Sequence, residues 1–109
     1  MKILTAGEMR EVDRRTIKAG IPGLILMENA AHRVVEVLAR ECAPLKEQRI
    51  LVFCGKGNNG GDGLAIARLL HVNFRPAALD VILAAAPAEF QGDAYANLAM
   101  LRALSLIHI

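Results

Sequence analysis

The sequence predicts an α/β fold with a parallel sheet, and three observations carry that prediction. The run Arg49-Ile50-Leu51-Val52-Phe53-Cys54 is continuously apolar rather than alternating, the pattern of a strand covered by helices on both faces. A block with five glycines in nine residues follows it, Gly55-Lys56-Gly57-Asn58-Asn59-Gly60-Gly61-Asp62-Gly63, and leads into a helix-like run from Leu64 to His71. Leu79-Asp80-Val81-Ile82-Leu83 then reads as a second buried strand, at the length of a right-handed strand–helix–strand crossover.

The remaining elements follow in order. Thr5-Ala6-Gly7-Glu8 fits a capping box, and Met9, Val12 and Ile17 make a thin apolar stripe among charges. Gly20 and Pro22 stop that helix. A longer one starts near Pro22 or Gly23. Its apolar face is Leu24, Met27, Ala31, Val34, Val35 and Leu38, and it ends before Pro44. Lys46-Glu47-Gln48 link it to the first strand. The helix from Leu64 is apolar almost all round, which predicts deep burial, and residues 71–76 turn the chain back. Gly92-Asp93 opens a last helix with Ala94, Leu98, Leu101 and Leu104 facing inward, and Leu106-Ile107-His108-Ile109 begins a third strand. Two or three strands leave a hydrophobic edge open, so the chain reads as the first half of a doubly wound domain.

Bulk properties exclude several functions. At 109 residues the chain holds one domain at most. The net charge of +2 is small, Arg14-Arg15 is the only basic pair and there is no Trp, which argues against nucleic-acid binding. Cys42 and Cys54 have neither zinc spacing nor the density of a disulfide scaffold, and read as buried free thiols in a reducing cytosol. The start of the chain lacks a signal-peptide core, and no apolar run approaches a membrane span. A soluble, cytoplasmic protein is expected. His32, His71 and His108 have no metal-ligand spacing.

The glycine block carries the chemistry. Glycine permits positive φ and leaves no Cβ to obstruct a close approach. A turn of this kind opening a helix presents free N–H groups and the positive end of the helix dipole, a cradle for phosphate. Gly55, Gly57 and Gly60 spell G-x-G-x-x-G, but the acidic residue that should hold a ribose is misplaced. Asp80 lies at the beginning of the second strand, whose far end is Ala84-Ala85-Ala86. An ordinary NAD-dependent dehydrogenase is disfavoured, and without Lys-Ser or Lys-Thr so is a Walker A loop. A purely structural reading stays open at single positions. Asn58 and Asn59 support turns, Asp62 suits an N-cap, and Lys56 serves equally as a phosphate partner or a solvated loop residue.

The block resembles the signature of the YjeF amino-terminal domain family, the NAD(P)HX epimerases. Leu4-Thr5-Ala6-Gly7-Glu8-Met9, Leu26-Met27-Glu28-Asn29-Ala30-Ala31, and Gln91-Gly92-Asp93-Ala94 before a helix with Asn97 resemble it too. The resemblance spans residues 1–109 as one domain truncated at its C-terminal end, and implies a Rossmann-like three-layer α/β/α fold, commonly homodimeric. It implies an isomerase of cofactor repair that interconverts the R and S forms of NADHX and NADPHX. An ADP- or ATP-dependent dehydratase, often fused downstream in bacteria, then restores NAD(P)H. By the same resemblance Asn58, Asn59, Gly60, Gly61 and Asp62 contact the substrate, and Asn59 helps bind a potassium ion. Some eukaryotic relatives are scaffolds, so a non-catalytic binding module is the alternative. The family domain runs to about twice this length. Its catalytic Asp, on a V-D-A-x-x-G-type strand end, has no match here, so no catalytic residue is assigned. The tail from Ser105 to Ile109 also lacks the family's Gly-containing turn.

Overall fold

The computed structural model describes residues 3–104 and the backbone of 107–108. Met1, Lys2, Ser105, Leu106 and Ile109 lie outside the described residues, and with them part of the expected third strand and of the tail pattern. Helix α1 (Ala6–Lys18) starts on the predicted capping box. Thr5 Oγ1 accepts the Glu8 N–H at 3.1 Å, and the Thr5 N–H donates to Glu8 Oε1 at 3.0 Å. Gly20, at φ 111°, ends the turn that follows. None of the helix is buried, and it touches α2 (Gly23–Glu41) only lightly. The buried face of α2 is Met27, Ala31 and Val35, while Val34, expected inside, is exposed.

Strands β1 (Arg49–Cys54), β2 (Ala78–Leu83) and β3 (Ile107–His108) form one parallel sheet in that order. The register runs from Arg49 beside Ala78 to Cys54 beside Leu83, and Val81 pairs with Ile107. Helices α3 (Asn58–Asn73) and α4 (Gly92–Ala103) make the two crossovers. Because both crossovers step the same way across the sheet, right-handedness puts both helices on one face. Helix α3 is the hub, with α2 on one flank and α4 on the other. Leu64 and Ala67 pack with Cys54, Val81, Leu83, Leu98 and Leu101. Ala65, Leu69 and Leu70 pack with Ala31, Val35 and Leu45. Burial all round α3 therefore holds as its composition predicted.

Two expectations need correction. The apolar run of β1 does not mean cover on both faces: its burial alternates, with Ile50, Val52 and Cys54 turned to the helices. Leu51 and Phe53 are 52% and 69% exposed on the opposite face. Two of the three expected layers are present among the described residues, for the topological reason just given. The third helix, moreover, starts not at Leu64 but six residues earlier at Asn58, inside the glycine block. Its other end runs to Asn73 and closes on Arg75, whose φ of 49° is left-handed and whose N–H reaches the carbonyl of Leu70 at 3.0 Å.

Candidate functional site

The glycine block lies where β1 ends, at the carboxyl edge of the sheet where α/β folds bind ligands. Gly57, in extended backbone at φ −81° and ψ −172°, is the N-cap of α3, and no side chain caps the helix there. The Gly61 N–H closes the first turn on the Gly57 carbonyl at 3.0 Å. The N–H groups of the turn's opening residues have no intrahelical acceptor by geometry, so the end of the helix is a ready anion site.

The glycines serve approach rather than unusual backbone. Positive φ among the described glycines occurs at Gly20 and Gly92, not in the block. A Cβ on Gly60 would lie 1.6 Å from the carbonyl oxygen of Gly55, so helix and loop touch backbone to backbone. A Cβ on Gly61 would meet Met27 Cε at 2.6 Å and Sδ at 2.9 Å, with Ala94 Cα at 3.1 Å. One on Gly63 would meet Cys54 Sγ at 2.9 Å. The helix thus starts early because nothing projects from its first turns to hold it off β1, α2 and α4. Of the two properties of glycine that the sequence offered, it is the close approach and not the positive φ that the block uses.

Each predicted site residue can now be placed. Asn58 and Asn59 are the first two residues of α3, and their side chains lie outside the described residues. Gly60 and Gly61 are buried, and the Gly61 N–H is taken by the Gly57 carbonyl. Asp62 is not the N-cap that its position suggested, because the cap is Gly57 and Asp62 sits more than a turn inside. Its carboxyl is half-buried and pushed up from the usual carboxylate range, first by burial and then by the charge of Asp13 on α1. Among the described residues it has no hydrogen bond or ion pair. Asp80 is exposed in the middle of β2, opposite Leu51, rather than at the strand's beginning, and it stands short of the carboxyl end at Leu83, before Ala84 and Ala85, where a ribose-binding acid would be needed.

Three features escaped the sequence reading. Asn97 is buried at 1% exposure, its Nδ2 donating to Met27 Sδ at 3.3 Å and to the Asp93 carbonyl at 3.2 Å. Its Oδ1 has no hydrogen-bond partner among the described residues. It braces the methionine that lies against Gly61. The Asp93 carboxylate rests against the opening of α2, where a Cβ on Gly23 would come within 2.5 Å of Oδ2; that helix has no side-chain cap, and its dipole favours an anion there. The third is an ion pair between Glu28 of α2 and Arg68 of α3, with His32 Nε2 3.7 Å from the same carboxylate. Helix periodicity marks the faces of Glu28 and Arg68 but cannot say that two helices bring them together.

Neither cysteine suits catalysis. Cys54 is buried and its thiol is pushed up to about 11 by that burial. Cys42, expected to be buried, is instead exposed, because it caps the end of α2 beyond that helix's buried face. The described residues include no cluster of three or more His, Cys, Asp or Glu fit for a metal, and no helix among them is long and apolar enough to cross a membrane.

Comparison with known proteins agrees with this geometry. The family model described as YjeF-related protein N-terminus matches residues 23–107, from the opening of α2 to β3. A protein of Moorella thermoacetica named bifunctional NAD(P)H-hydrate repair enzyme Nnr is 48% identical over 100 residues, which cover 90% of this chain and 18% of that protein. Its namesake in Salinibacter ruber is 45% identical over 103 residues, covering 94% of this chain and 19% of the relative. An NAD(P)H-hydrate epimerase of Limosilactobacillus reuteri is 51% identical over 72 residues, covering 65% and 34%. The chain therefore spans about a fifth to a third of the length of these relatives. With the family model matched across most of its length, and the glycine block at the mouth of α3, this chain belongs to the YjeF-related N-terminal family.

Proposed function

We propose that this chain forms the dinucleotide-binding half of an NAD(P)H-hydrate epimerase. The observation that carries the reading is the uncapped first turn of α3, seated backbone to backbone on the loop after β1. Substrates of such an enzyme, NADHX and NADPHX, carry a pyrophosphate, and a helix start with free N–H groups favours that anion. Names of the relatives point to the same substrates.

In this reading the backbone N–H groups of Asn58, Asn59 and Gly60 hold phosphate oxygens. Gly60 and Gly61 let the helix sit close enough to do so, and Asp62 contacts the substrate from the next turn. Epimerisation at C6 of the hydrated ring needs a base to take a proton and an acid to return it. Asp62 is the site carboxylate with a raised proton affinity, but it lies on the same helix start that is assigned to the phosphates. We assign the reacting base to chain outside these 109 residues.

A potassium ion takes oxygen donors, and an Asn amide oxygen is one by its chemistry, so Asn59 is the proposed ligand; the ion would supply positive charge beside the substrate's phosphates. The dehydratase that consumes the S form is the expected partner, in keeping with the word bifunctional in two relatives' names. A homodimer and a cytoplasmic location complete the proposal.

The test is R-to-S conversion of NADHX by the protein from its whole reading frame, coupled to an S-specific dehydratase. Conversion well above the spontaneous rate is expected, with Asn59→Ala reducing both the rate and its dependence on potassium. No acceleration over the spontaneous rate would refute the reading; potassium dependence unchanged in Asn59→Ala would remove the ion from that residue.

A further inference from the structure

The proposed function leaves Lys56 unused, although it stands one residue before the N-cap of α3. The loop containing it and the loop after β2 leave adjacent strands side by side, joined where the Ala84 N–H meets the Cys54 carbonyl at 2.8 Å. Across the two loops Lys56 Nζ lies 3.5 Å from Glu89 Oε1. The glutamate is not loose: its Oε2 accepts the Ala86 N–H at 2.9 Å, a short-range cap that aims the carboxylate. The lysine, by contrast, is a flexible stem with a hydrated point charge, well suited to changing partners.

We propose that Lys56 and Glu89 form an exchangeable latch over the phosphate cradle. Glu89 holds the ammonium beside the start of α3, and an incoming pyrophosphate takes it over. The pair rests on the epimerase reading for its natural ligand, but its logic is electrostatic. An exposed lysine–carboxylate pair is weak, so it opens at little cost. A phosphate at the start of α3 offers the ammonium an anion that the helix N–H groups already hold, so its pull exceeds that of one solvated carboxylate. Departure of the ammonium breaks its pair with Glu89, a cost incurred only by a ligand that engages Lys56 and offset by the contact made there. The latch therefore makes affinity depend on the phosphate end of the ligand more steeply than the helix alone would.

The experiment uses Lys56→Met, Glu89→Gln and the double variant in the protein from its whole reading frame. Glu89→Gln keeps an amide oxygen for the Ala86 N–H, so the local turn survives. KM for NADHX is measured at low and high salt, and ADP is titrated as a pyrophosphate-bearing probe that needs no turnover. Lys56→Met should raise KM and the ADP Kd about 3- to 5-fold, and Glu89→Gln should lower both about 2- to 3-fold, the scale of one exposed pair. In the Lys56→Met background Glu89→Gln should change neither, and high salt should erase all the differences. A full Glu89→Gln effect without Lys56, or equal affinities throughout in an active enzyme, would overturn the latch alone. Shifts of the expected sign with ADP in a protein that does not epimerise NADHX would support the latch and refute the epimerase reading.

Discussion

Substituting Gly60 by alanine tests the claim that the cradle is built on backbone contact. Helix propensity alone favours the change, since alanine exceeds glycine by about 1 kcal/mol inside a helix. Packing opposes it: the new Cβ would fall 1.6 Å from the Gly55 oxygen, less than half an ordinary contact distance, and 2.5 Å from its carbonyl carbon. Backbone cannot swing away like the end of a side chain, so the helix start must move off the loop. Overpacking a tight site costs about 1–3 kcal/mol, and a clash with main chain belongs at or beyond the upper end. The expected net loss is about 2 kcal/mol or more, or roughly 8–16 °C in Tm for a domain of this size. Gly7→Ala in α1 is the matched control. Its Cβ would find nothing nearer than 3.9 Å, so propensity should dominate and helix stability should rise by about 0.5–1 kcal/mol. Urea and thermal unfolding of the pair measure both. A Gly60→Ala protein as stable as wild type would refute the backbone contact and the early helix start together.

Other consequences are equally direct. Burial and Asp13 raise the Asp62 carboxyl, so as pH rises the unfolded chain loses this proton first and stability falls between the ordinary carboxylate value and the folded one. Asp13→Asn should flatten that slope and Asp62→Asn abolish it, with higher stability at neutral pH; unchanged slopes in urea titrations would refute the coupling. Cys42 should react with a thiol reagent in the native protein and Cys54 only after unfolding, since burial keeps its thiol pushed up to about 11; two fast thiols in the native state would contradict the burial. Glu28→Gln, by leaving the largely buried Arg68 without its carboxylate, should cost about 1–3 kcal/mol in unfolding experiments, whereas Arg68→Met, which keeps the apolar stem, should cost less. An equal or reversed order would show that the pair is only a surface contact.

Local chemistry made much of this fold legible. The Thr5–Glu8 box, the α2 stripe of Met27, Ala31 and Val35, and the apolar runs of β1, α3 and β2 all state their element in the sequence. The beginning of α3 did not, because a run of glycines reads as a turn until the neighbours that demand its small size are known. Leu51 and Phe53 misled for a related reason: an apolar strand residue does not say whether its cover comes from helices seen here. At the site, the cradle's position was readable from Gly55 to Gly63. Asp13 beside Asp62, Glu89 beside Lys56 and Asn97 beneath Met27 were not, since each pairing joins residues far apart in sequence through the crossover topology.

The bare face of β1 has a consequence for handling the protein. Among the described residues this strand is one edge of the sheet, and Ile50-Leu51-Val52-Phe53 runs along it without a charge, proline or bulge to discourage pairing. Arg49, at its start, is the single gatekeeper. Such an edge is a template for a like strand from another molecule, and the exposed ring of Phe53 adds an adhesive patch. Expressed as these 109 residues, the chain should form concentration-dependent assemblies through β1, and a lysine in place of Phe53 should keep it dispersed.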